Sequence, residues 1–368
     1  MRAHGIDACL LFHDPNVRYA TGASAMPVWA MSTFTRCAVV PAEGTPILFD
    51  HPNSVHRSKL RAAEVRPMHA WEFFDDAAAE ARVFAGEAAA ALRELGVTGG
   101  RIGIDRLGAP GWFALAEEGL TLTDPSPATQ EAREVKTSQE VQLFRLNGRI
   151  VVEALGELEA AIAPGVTERD LLGAYASGAI RRGAEYLATS TLCSGPNTNP
   201  WRAEVTDRVL RPGELVFVDT DTVGVEGCFF CVSRTFAVGG AEPSRASRAT
   251  FRAAHDWVRD LTALVRPGIT CAELAAEAPP IPERFLPQRY EVMIHGVGLE
   301  EESPSVCHPM DPQPNGERMI RPDMTLVVEC YFGEVGADHG VKLGDVILVT
   351  EDGSEPLAPF PFAQALAG

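Results

Sequence analysis

Two aspartates separated by a single residue are the first candidates for chemistry. Asp219 and Asp221 lie in the segment PGELVFVDTDTVGVEGCFFCVSRTF, whose two apolar halves around glycines predict a β-hairpin. Because side chains two positions apart on a strand project from the same face, the two carboxylates would lie side by side. Such a pair is costly on an apolar strand unless a cation or protons neutralise it. The pattern therefore favours a metal or catalytic pair over a solvated strand end.

A histidine and a glutamate in two later apolar segments extend this set. His295 follows a short apolar run in YEVMIHGVGLEEESP, and Glu329 lies inside PDMTLVVECYFGE. A carboxylate inside a Val-rich strand needs a partner charge or a metal. A lone histidine is more often structural, but Tyr290 precedes this one by five residues and glutamates follow at 300–302. Asp, His and Glu from separate strands suit iron, manganese or zinc.

Cys228 and Cys231 form a C-x-x-C pair, which by itself suggests a redox or zinc motif. On an extended strand, residues three apart point to opposite faces, so the two thiols would not share one site. The eight cysteines are spread over a large chain, which favours reduced thiols, most of them small core residues.

The elements that must position these residues divide the chain near residue 130. Residues 1–130 alternate strand-like and helix-like runs, which predicts an α/β domain. A long pattern of period 3.6 then begins, opened by Thr137 and Glu140 in a capping-box arrangement. A chain of 368 residues suits two domains, which we place at 1–130 and 131–368. The second domain is predicted to contain helices over 138–162, 167–182, 243–265 and 271–277, with strands over 186–240 and near the C-terminus.

The charge balance excludes several classes of partner. The formal net charge is −18 and the pI about 4.9, so a nucleic acid or an anionic membrane surface would be repelled. The apolar run at the start is shorter than a signal-peptide core, and no window reaches the roughly 20 apolar residues of a membrane span. We therefore expect a cytoplasmic protein with a small-molecule substrate.

In order and spacing these segments resemble the pita-bread metallopeptidase family, which includes creatinase, prolidase and methionine aminopeptidase. The matching features are DTDTVGVEGCFFCVSRTF, HGVGL, VVECYFGE, GVKLGDVILVT and the AREVKTSQEV entry into the second domain. The resemblance covers nearly the whole chain and implies an α/β (α+β) fold, with a creatinase-like N-terminal domain before a pita-bread catalytic domain. It also implies an Asp, Asp, His, Glu, Glu set around two metals, and a homodimer in which one N-terminal domain closes over the partner's site.

Within the family the chain is most similar to the dimethylsulfoniopropionate lyase branch. The shared features are the D-x-D doublet, SGPNTNPW, the tyrosine five residues before the histidine, the VKL segment, and PNVRYATG followed by Trp29. The peptidases have a histidine after the SGPN-like segment, where this chain has Trp201 and Arg202. They have a second histidine after HGVGL, where this chain has glutamates. Both differences argue against peptidase activity.

Two departures concern the metal ligands that the resemblance implies. Cys231 stands where the lyase branch has an aspartate, and Gly344 stands where it has a glutamate. The remaining ligands could hold one divalent cation, iron, manganese or zinc, with Cys231 as a soft addition. A metal-free site like that of creatinase is the alternative, and the sequence leaves both open. The predicted ligand set is Asp219, Asp221, His295 and Glu329.

The leading hypothesis is metal-assisted β-elimination from a small zwitterion that carries a carboxylate and an onium group. The resemblance places an acid six residues after the histidine, so Glu301 is the predicted base, with Tyr290 and His295 as further catalytic residues. An aromatic side chain would face the onium group by cation–π contact. Trp29, Trp201 and Arg202 are the substrate-binding candidates, and Cys231 and Glu300 have no settled role.

Three other functions remain as alternatives. The first is a metal-free C–N hydrolase resembling creatinase or ectoine hydrolase, with His295 as acid and base. The second is a pseudoenzyme or binding protein, because decay would also remove ligands. The third is a peptidase of the Xaa-Pro type.

Overall fold

The computed structural model describes residues 1–28, 35–72, 75–201, 204–363 and 366. The chain divides into two compact units, Met1–Ala132 and Arg133–Gly368. Each combines helices with a sheet.

In the first unit, the described strands form one six-stranded sheet. They are β1 Ala8–Leu11, β2 Cys37–Pro41, β3 Ile47–Asp50, β4 Glu64–Pro67, β5 Arg101–Ile104 and β6 Thr121–Thr123. Their order is β4-β3-β2-β1-β5-β6, with β1 antiparallel to β2 and parallel to β5. The helices here are α1 Asp14–Thr21, α2 Val55–Ser58, α3 Ala77–Glu94 and α4 Ala109–Glu117.

The sheet of the first unit has apolar side chains on both faces. One core gathers Phe84 and Ala88 of α3 and Leu115 of α4 against the strands. The other contains Val17 of α1. Because both faces of the sheet are covered, all four residues of β1 are buried and apolar, and β1 does not alternate between apolar and polar residues. Helix α5, Ser126–Glu134, ends the region.

In the second unit, the described strands form a nine-stranded sheet. They are β7 Tyr186–Leu187, β8 Thr191–Ser194, β9 Leu215–Val223, β10 Phe229–Ala237, β11 Val292–Val297, β12 Glu301–Cys307, β13 Thr325–Gly333, β14 Gly340–Val349 and β15 Ser354–Pro356. The order is β12-β11-β13-β14-β10-β9-β7, with β15 beside β14 and β8 beside β9. The helices are α6 Ser138–Ala161, α7 Glu168–Arg181, α8 Arg245–Leu264 and α9 Cys271–Glu277.

Helix α6 begins as its sequence predicts. The backbone N–H of Thr137 donates to Glu140 Oε2 at 2.7 Å, and the backbone N–H of Glu140 donates to Thr137 Oγ1 at 3.3 Å. This capping box satisfies two backbone donors that the first turn leaves without a helical partner. The predicted hairpin is also present, since β9 and β10 pair as antiparallel neighbours.

Two buried cores hold the helices against the large sheet. One contains Val151, Leu155 and Leu158 of α6 together with Leu171 of α7. The other contains Phe251 and Trp257 of α8 and Leu274 of α9. The second core takes alternate residues of β13, namely Val328, Cys330 and Phe332, so the residues between them face away from α8. Glu329 is one of these.

No described helix has the length and apolar character that a bilayer crossing requires. All eight cysteines are buried, and none forms a disulfide within the described residues.

Candidate active site

The strand register places the candidate residues in one row across four strands. Asp219 of β9 lies opposite Ser233 of β10, Ser233 lies opposite Gly344 of β14, and Gly344 lies opposite Glu329 of β13. Directly opposed residues on neighbouring strands share a face. These four residues therefore line one face of the sheet, although they come from distant parts of the chain.

Adjacent register positions add further residues to this face. Asp221 lies opposite Cys231, and each is two residues from a member of the Asp219–Ser233 pair, so all four share a face. Lys342 lies opposite Tyr331. Lys342 is two residues before Gly344 and Tyr331 is two residues after Glu329, so both face the same side as the row. His295 lies opposite Val327, which is two positions before Glu329. His295 lies within β11, whereas the sequence had placed it just after a strand.

A buried lysine ammonium lies among the carboxylates. Lys342 Nζ is bonded to Glu329 Oε2 and lies 3.6 Å from Asp219 Oδ2. Burial alone would lower the pKa of Lys342, but the charges of Asp219 and Glu329 outweigh it and raise the pKa. Burial alone would raise the pKa of Glu329, but Lys342 outweighs it and lowers the pKa. Both groups are therefore charged at neutral pH.

His295 presents one ring nitrogen to this cluster. Its Nδ1–H donates to the carbonyl oxygen of Gly296 at 2.9 Å, which leaves the lone pair on Nε2. Nε2 is buried, lies 3.5 Å from Glu329 Oε1 and has no hydrogen-bond partner among the described residues. Burial would lower the pKa of His295, but the neighbouring Glu329 outweighs it and raises the pKa.

The D-x-D pair sits beside a thiol. Asp219 Oδ1 accepts a hydrogen bond from Ser233 Oγ at 2.5 Å and a longer one from Cys231 Sγ at 3.7 Å. Burial, together with the charge of Asp219, raises the pKa of Asp221 to about 7. Burial and the charge of Asp221 also raise the pKa of the Cys231 thiol. Both shifts mean that further negative charge is unfavourable on this side of the site, and a bound cation would relieve that cost.

Three aromatic rings form a wall beside the carboxylates. Trp201 meets Tyr290 edge to face at 5.1 Å between centroids and stacks with Tyr331 at 6.4 Å. Lys342 Nζ lies 4.1 Å from the ring centre of Tyr290 and 5.2 Å from that of Trp201. These are cation–π distances. The indole N–H of Trp201 is buried and has no hydrogen-bond partner among the described residues.

The three consecutive glutamates after His295 have different partners. Glu300 accepts a hydrogen bond from Arg133 at 2.7 Å, and Glu302 accepts one from Lys136 at 2.8 Å. Within the described ranges, the exposed carboxylate of Glu301 forms no ion pair. Burial is the main cause of the raised pKa values of Asp221 and Tyr290, and the charge of Glu301 adds to both.

Among the described residues, one group of donor atoms fits a single metal ion. Cys231 Sγ, His295 Nε2 and a Glu329 oxygen lie within 4.8 Å of one another, and all three residues are buried. Nε2 of His295 is buried without a hydrogen-bond partner among the described residues, and coordination to a metal would satisfy it. At Gly344 there is no donor, and a Cβ there would lie 3.0 Å from Glu329 Cβ. A second ion would lack the two carboxylates that the family resemblance implies at positions 231 and 344.

The structure brings most of the predicted site together. Seven predicted residues meet on this face or along its wall: Trp201, Asp219, Asp221, Cys231, Tyr290, His295 and Glu329. Glu301 lies at the start of β12, and Glu300 is bound to Arg133. Trp29 and Arg202 lie outside the described residues.

Sequence reasoning missed three residues of the site: Ser233, Tyr331 and Lys342. Lys342 had a usable signal, because a lysine inside the apolar run GVKLGDVILVT is as unusual as Glu329 in its own strand. Ser233 and Tyr331 had none, since hydroxyl and aromatic residues are common in strands.

Family comparisons cover both units. Residues 142–351 match the model of metallopeptidase family M24, and residues 1–135 match the creatinase/prolidase N-terminal domain. The chain is 32% identical over 380 aligned residues to the dimethylsulfoniopropionate lyase DddP of Roseobacter denitrificans, covering 100% of this chain and 84% of that protein. It is 31% identical to the DddP of Roseovarius nubinhibens, covering 98% and 83%.

Solved structures show the same fold at lower identity. A dipeptidase from Pyrococcus horikoshii superposes with a TM-score of 0.79 at 23% identity, covering 98% of this chain and 96% of that one. An Xaa-Pro dipeptidase from Bacillus anthracis superposes with a TM-score of 0.78 at 20% identity, covering 97% and 94%. The predicted combination of a creatinase-like N-terminal domain with a pita-bread catalytic domain is confirmed.

Proposed function

The chain belongs to metallopeptidase family M24 and is a lyase or hydrolase of that family, and from this premise we propose that it cleaves a small zwitterion by β-elimination. The proposed substrate carries a carboxylate and, on the carbon β to it, a sulfonium group. The relationship to two dimethylsulfoniopropionate lyases over nearly the whole chain supports this reaction class.

The observation that carries the proposal is the aromatic wall next to a charged cluster. Trp201 and Tyr290 lie at cation–π distance from the ammonium group of Lys342, which supports the proposal that their rings can accept positive charge. The cluster beside them contains both signs of charge, with Lys342 among carboxylates. A ligand with one positive and one negative group complements such a lining.

The same site argues against peptide hydrolysis. Two of the ligand positions that the family resemblance implies are Cys231 and Gly344, so a pair of metal ions would lack two carboxylates. The segment after SGPN has Trp201 where the peptidases have a histidine. Both changes remove groups that would bind and polarise a peptide bond.

Glu301 is the proposed base. Its neighbours Glu300 and Glu302 are held by Arg133 and Lys136, whereas Glu301 is exposed to an incoming ligand. In the proposed step its carboxylate takes a proton from the carbon next to the substrate carboxylate. The released electron pair forms the carbon–carbon double bond, and the bond to sulfur breaks with its electrons on sulfur. The products are an unsaturated carboxylate and a neutral thioether, and the proton passes to solvent.

The remaining residues orient the substrate. Tyr290 is proposed to bind the substrate carboxylate through its phenol, and the indole N–H of Trp201, buried without a partner among the described residues, offers a second donor. Membership of a metallopeptidase family implies a divalent cation, which His295 and Glu329 would hold. Bound there, the cation would withdraw charge from the substrate carboxylate and make the neighbouring C–H more acidic.

We also infer that the protein is a homodimer, as the family resemblance implies. Light scattering during size-exclusion chromatography should give twice the subunit mass of 39.5 kDa. A single subunit mass would contradict this.

The proposed reaction is tested by incubating purified protein with dimethylsulfoniopropionate and measuring released dimethyl sulfide by gas chromatography and acrylate by NMR. We expect both products in equal amounts. Glu301→Gln should lower kcat by about 100-fold or more, the usual effect of removing a general base. Glu300→Gln is the matched control, because that carboxylate is bound to Arg133, and it should keep most of the activity.

Hydrolysis of Xaa-Pro dipeptides without thioether release would overturn the proposal in favour of a peptidase. Cleavage of cyclic amidines or guanidino acids alone would favour a C–N hydrolase. Full thioether release by Glu301→Gln would keep the reaction class but exclude Glu301 as its base.

A further inference from the structure

We propose that Cys231, His295 and Glu329 form a mononuclear metal site with a thiolate ligand, selective for zinc-like cations. This goes beyond the reaction proposed above and does not depend on it. The donor atoms of these three residues lie within 4.8 Å of one another, and all three residues are buried.

The histidine and the glutamate each turn one donor atom toward the other, and Cys231 Sγ, whose S–H donates to Asp219 Oδ1 at 3.7 Å, keeps its lone pairs. His295 donates Nδ1–H to the carbonyl oxygen of Gly296, so the neutral ring has its lone pair on Nε2, and a bound metal would replace any proton there. Glu329 uses Oε2 on Lys342, so Oε1 faces His295 Nε2 at 3.5 Å. Ligands of a tetrahedral zinc ion are roughly 3.5 Å apart, given bonds of about 2.0–2.3 Å. The histidine and glutamate are therefore already at the spacing that such an ion requires.

Both carboxylate oxygens of Asp219 have other partners, so the proposed ligands are a thiol, an imidazole and one carboxylate rather than carboxylates alone. Its Oδ1 accepts from Ser233 Oγ at 2.5 Å, and its Oδ2 lies 3.6 Å from Lys342 Nζ. Gly344 has no donor atom. Among the described residues, Cys231, which lies opposite Asp221 on the same face of the sheet, has its sulfur within 4.8 Å of the donor atoms of both His295 and Glu329.

The chemistry of these donors selects the cation. Sulfur, nitrogen and oxygen ligands from three residues, with a fourth position open, are the pattern of catalytic zinc sites. A thiolate favours zinc over manganese or magnesium, which prefer all-oxygen ligands. Binding would displace the thiol proton of Cys231 to solvent, so that the sulfur–metal bond replaces the S–H bond.

Cobalt titration of the metal-free, full-length protein tests the proposal, because cobalt(II) reports its ligands by absorption. We expect saturation at about one equivalent, visible bands of four-coordinate cobalt, and a near-ultraviolet band from thiolate-to-cobalt charge transfer. Zinc should displace the cobalt and remove both sets of bands, whereas an equal concentration of manganese should leave them.

Single-residue variants identify the cysteine that supplies the sulfur ligand. Cys231→Ser should abolish the near-ultraviolet band and weaken cobalt binding, and His295→Gln should weaken binding as well. Cys228→Ser is the matched control, because it replaces a neighbouring buried thiol that is not among these donors, and it should keep the band. Circular dichroism and thermal unfolding show that each variant is folded. If Cys231→Ser fails to fold, Cys231→Ala takes its place.

Cobalt binding without the near-ultraviolet band would overturn the proposal, as would a band that survives loss of the Cys231 thiol. Two equivalents of bound cobalt would also overturn it. None of these readouts measures turnover, so failure of the proposed lyase reaction and failure of this metal site are distinguishable.

Discussion

The side chains of Lys342 and Glu329 form a buried ion pair between two neighbouring strands, β13 and β14. Lys342 is 0% exposed and Glu329 is 2% exposed, so water shields neither charge. The register makes them diagonal neighbours, because Lys342 lies opposite Tyr331 and Glu329 lies opposite Gly344. Glu329 therefore has one oxygen fixed by a lysine and one left for the site.

Replacing Lys342 with methionine should destabilise the protein and abolish activity. Loss of one partner of a buried ion pair leaves an uncompensated charge, and the expected fall in the free energy of unfolding is about 3 kcal/mol. Urea denaturation measures it. Lys59→Met, at an exposed lysine of the first unit, is the control and should change stability by less than about 0.5 kcal/mol. Equal stability of Lys342→Met and wild type would refute the importance of this pair.

Trp201→Leu should weaken binding of a cationic substrate more than turnover. Loss of the ring removes a cation–π contact of about 1–2 kcal/mol, so the KM for a sulfonium substrate should rise about 10-fold. Steady-state kinetics measure this, and a neutral thioether analogue used as a competitive inhibitor should be affected less. Trp112→Leu, in α4 of the first unit, is the control. An equal loss for charged and neutral ligands would assign Trp201 to packing alone.

The double substitution Cys231→Asp with Gly344→Glu should create a place for a second metal ion. It introduces the two carboxylates that the family resemblance implies, one at position 231 beside Asp219 and one at position 344 opposite Glu329. The added negative charge should make stability depend on metal, because uncompensated buried carboxylates repel one another. Thermal unfolding with and without manganese measures this, and elemental analysis counts the ions. Gly344→Glu alone is the control, since one added carboxylate leaves the second ion short of a ligand.

Stability should fall in mild acid through His308. Burial lowers the pKa of His308, whose Nε2–H donates to the carbonyl oxygen of Tyr290 at 2.9 Å. The hydrogen bond to Tyr290 and the charge of Asp311 oppose this shift, whereas Arg289 adds to it. The folded pKa is below the unfolded value of about 6.5, so this contribution to stability is present above pH 6.5 and is lost as pH falls below it.

The loss of stability has an upper limit, because His308 takes up at most one proton on unfolding. It can reach at most about 1.4 kcal/mol for each pH unit below about 6.5. Urea denaturation at several pH values measures it, and His308→Gln should show a shallower decline than wild type. Parallel declines in the two proteins would mean that other groups account for the acid sensitivity.

Local pattern was enough to predict several features of the second unit. Period-two alternation predicted that Asp219 and Asp221 share a face, and the T-x-x-E spacing predicted the cap of α6. These features depend on a few neighbouring residues and on backbone geometry that any strand or helix shares. The order of the motifs along the chain predicted the fold class and the family, because each motif can be recognised from its own few residues.

The partners across strands were decided by the tertiary structure. Glu300, Glu301 and Glu302 are indistinguishable in sequence, yet Arg133, 167 residues away, holds Glu300, and Lys136 holds Glu302. The pairing of Lys342 with Glu329 depends on the register of β13 against β14, which changes side-chain faces with a shift of one residue. The sequence by itself determined which chemical groups this protein has, because type and spacing are local. Only the fold decided which of them are neutralised and which remain available, because charge compensation depends on distances between strands that are remote along the chain.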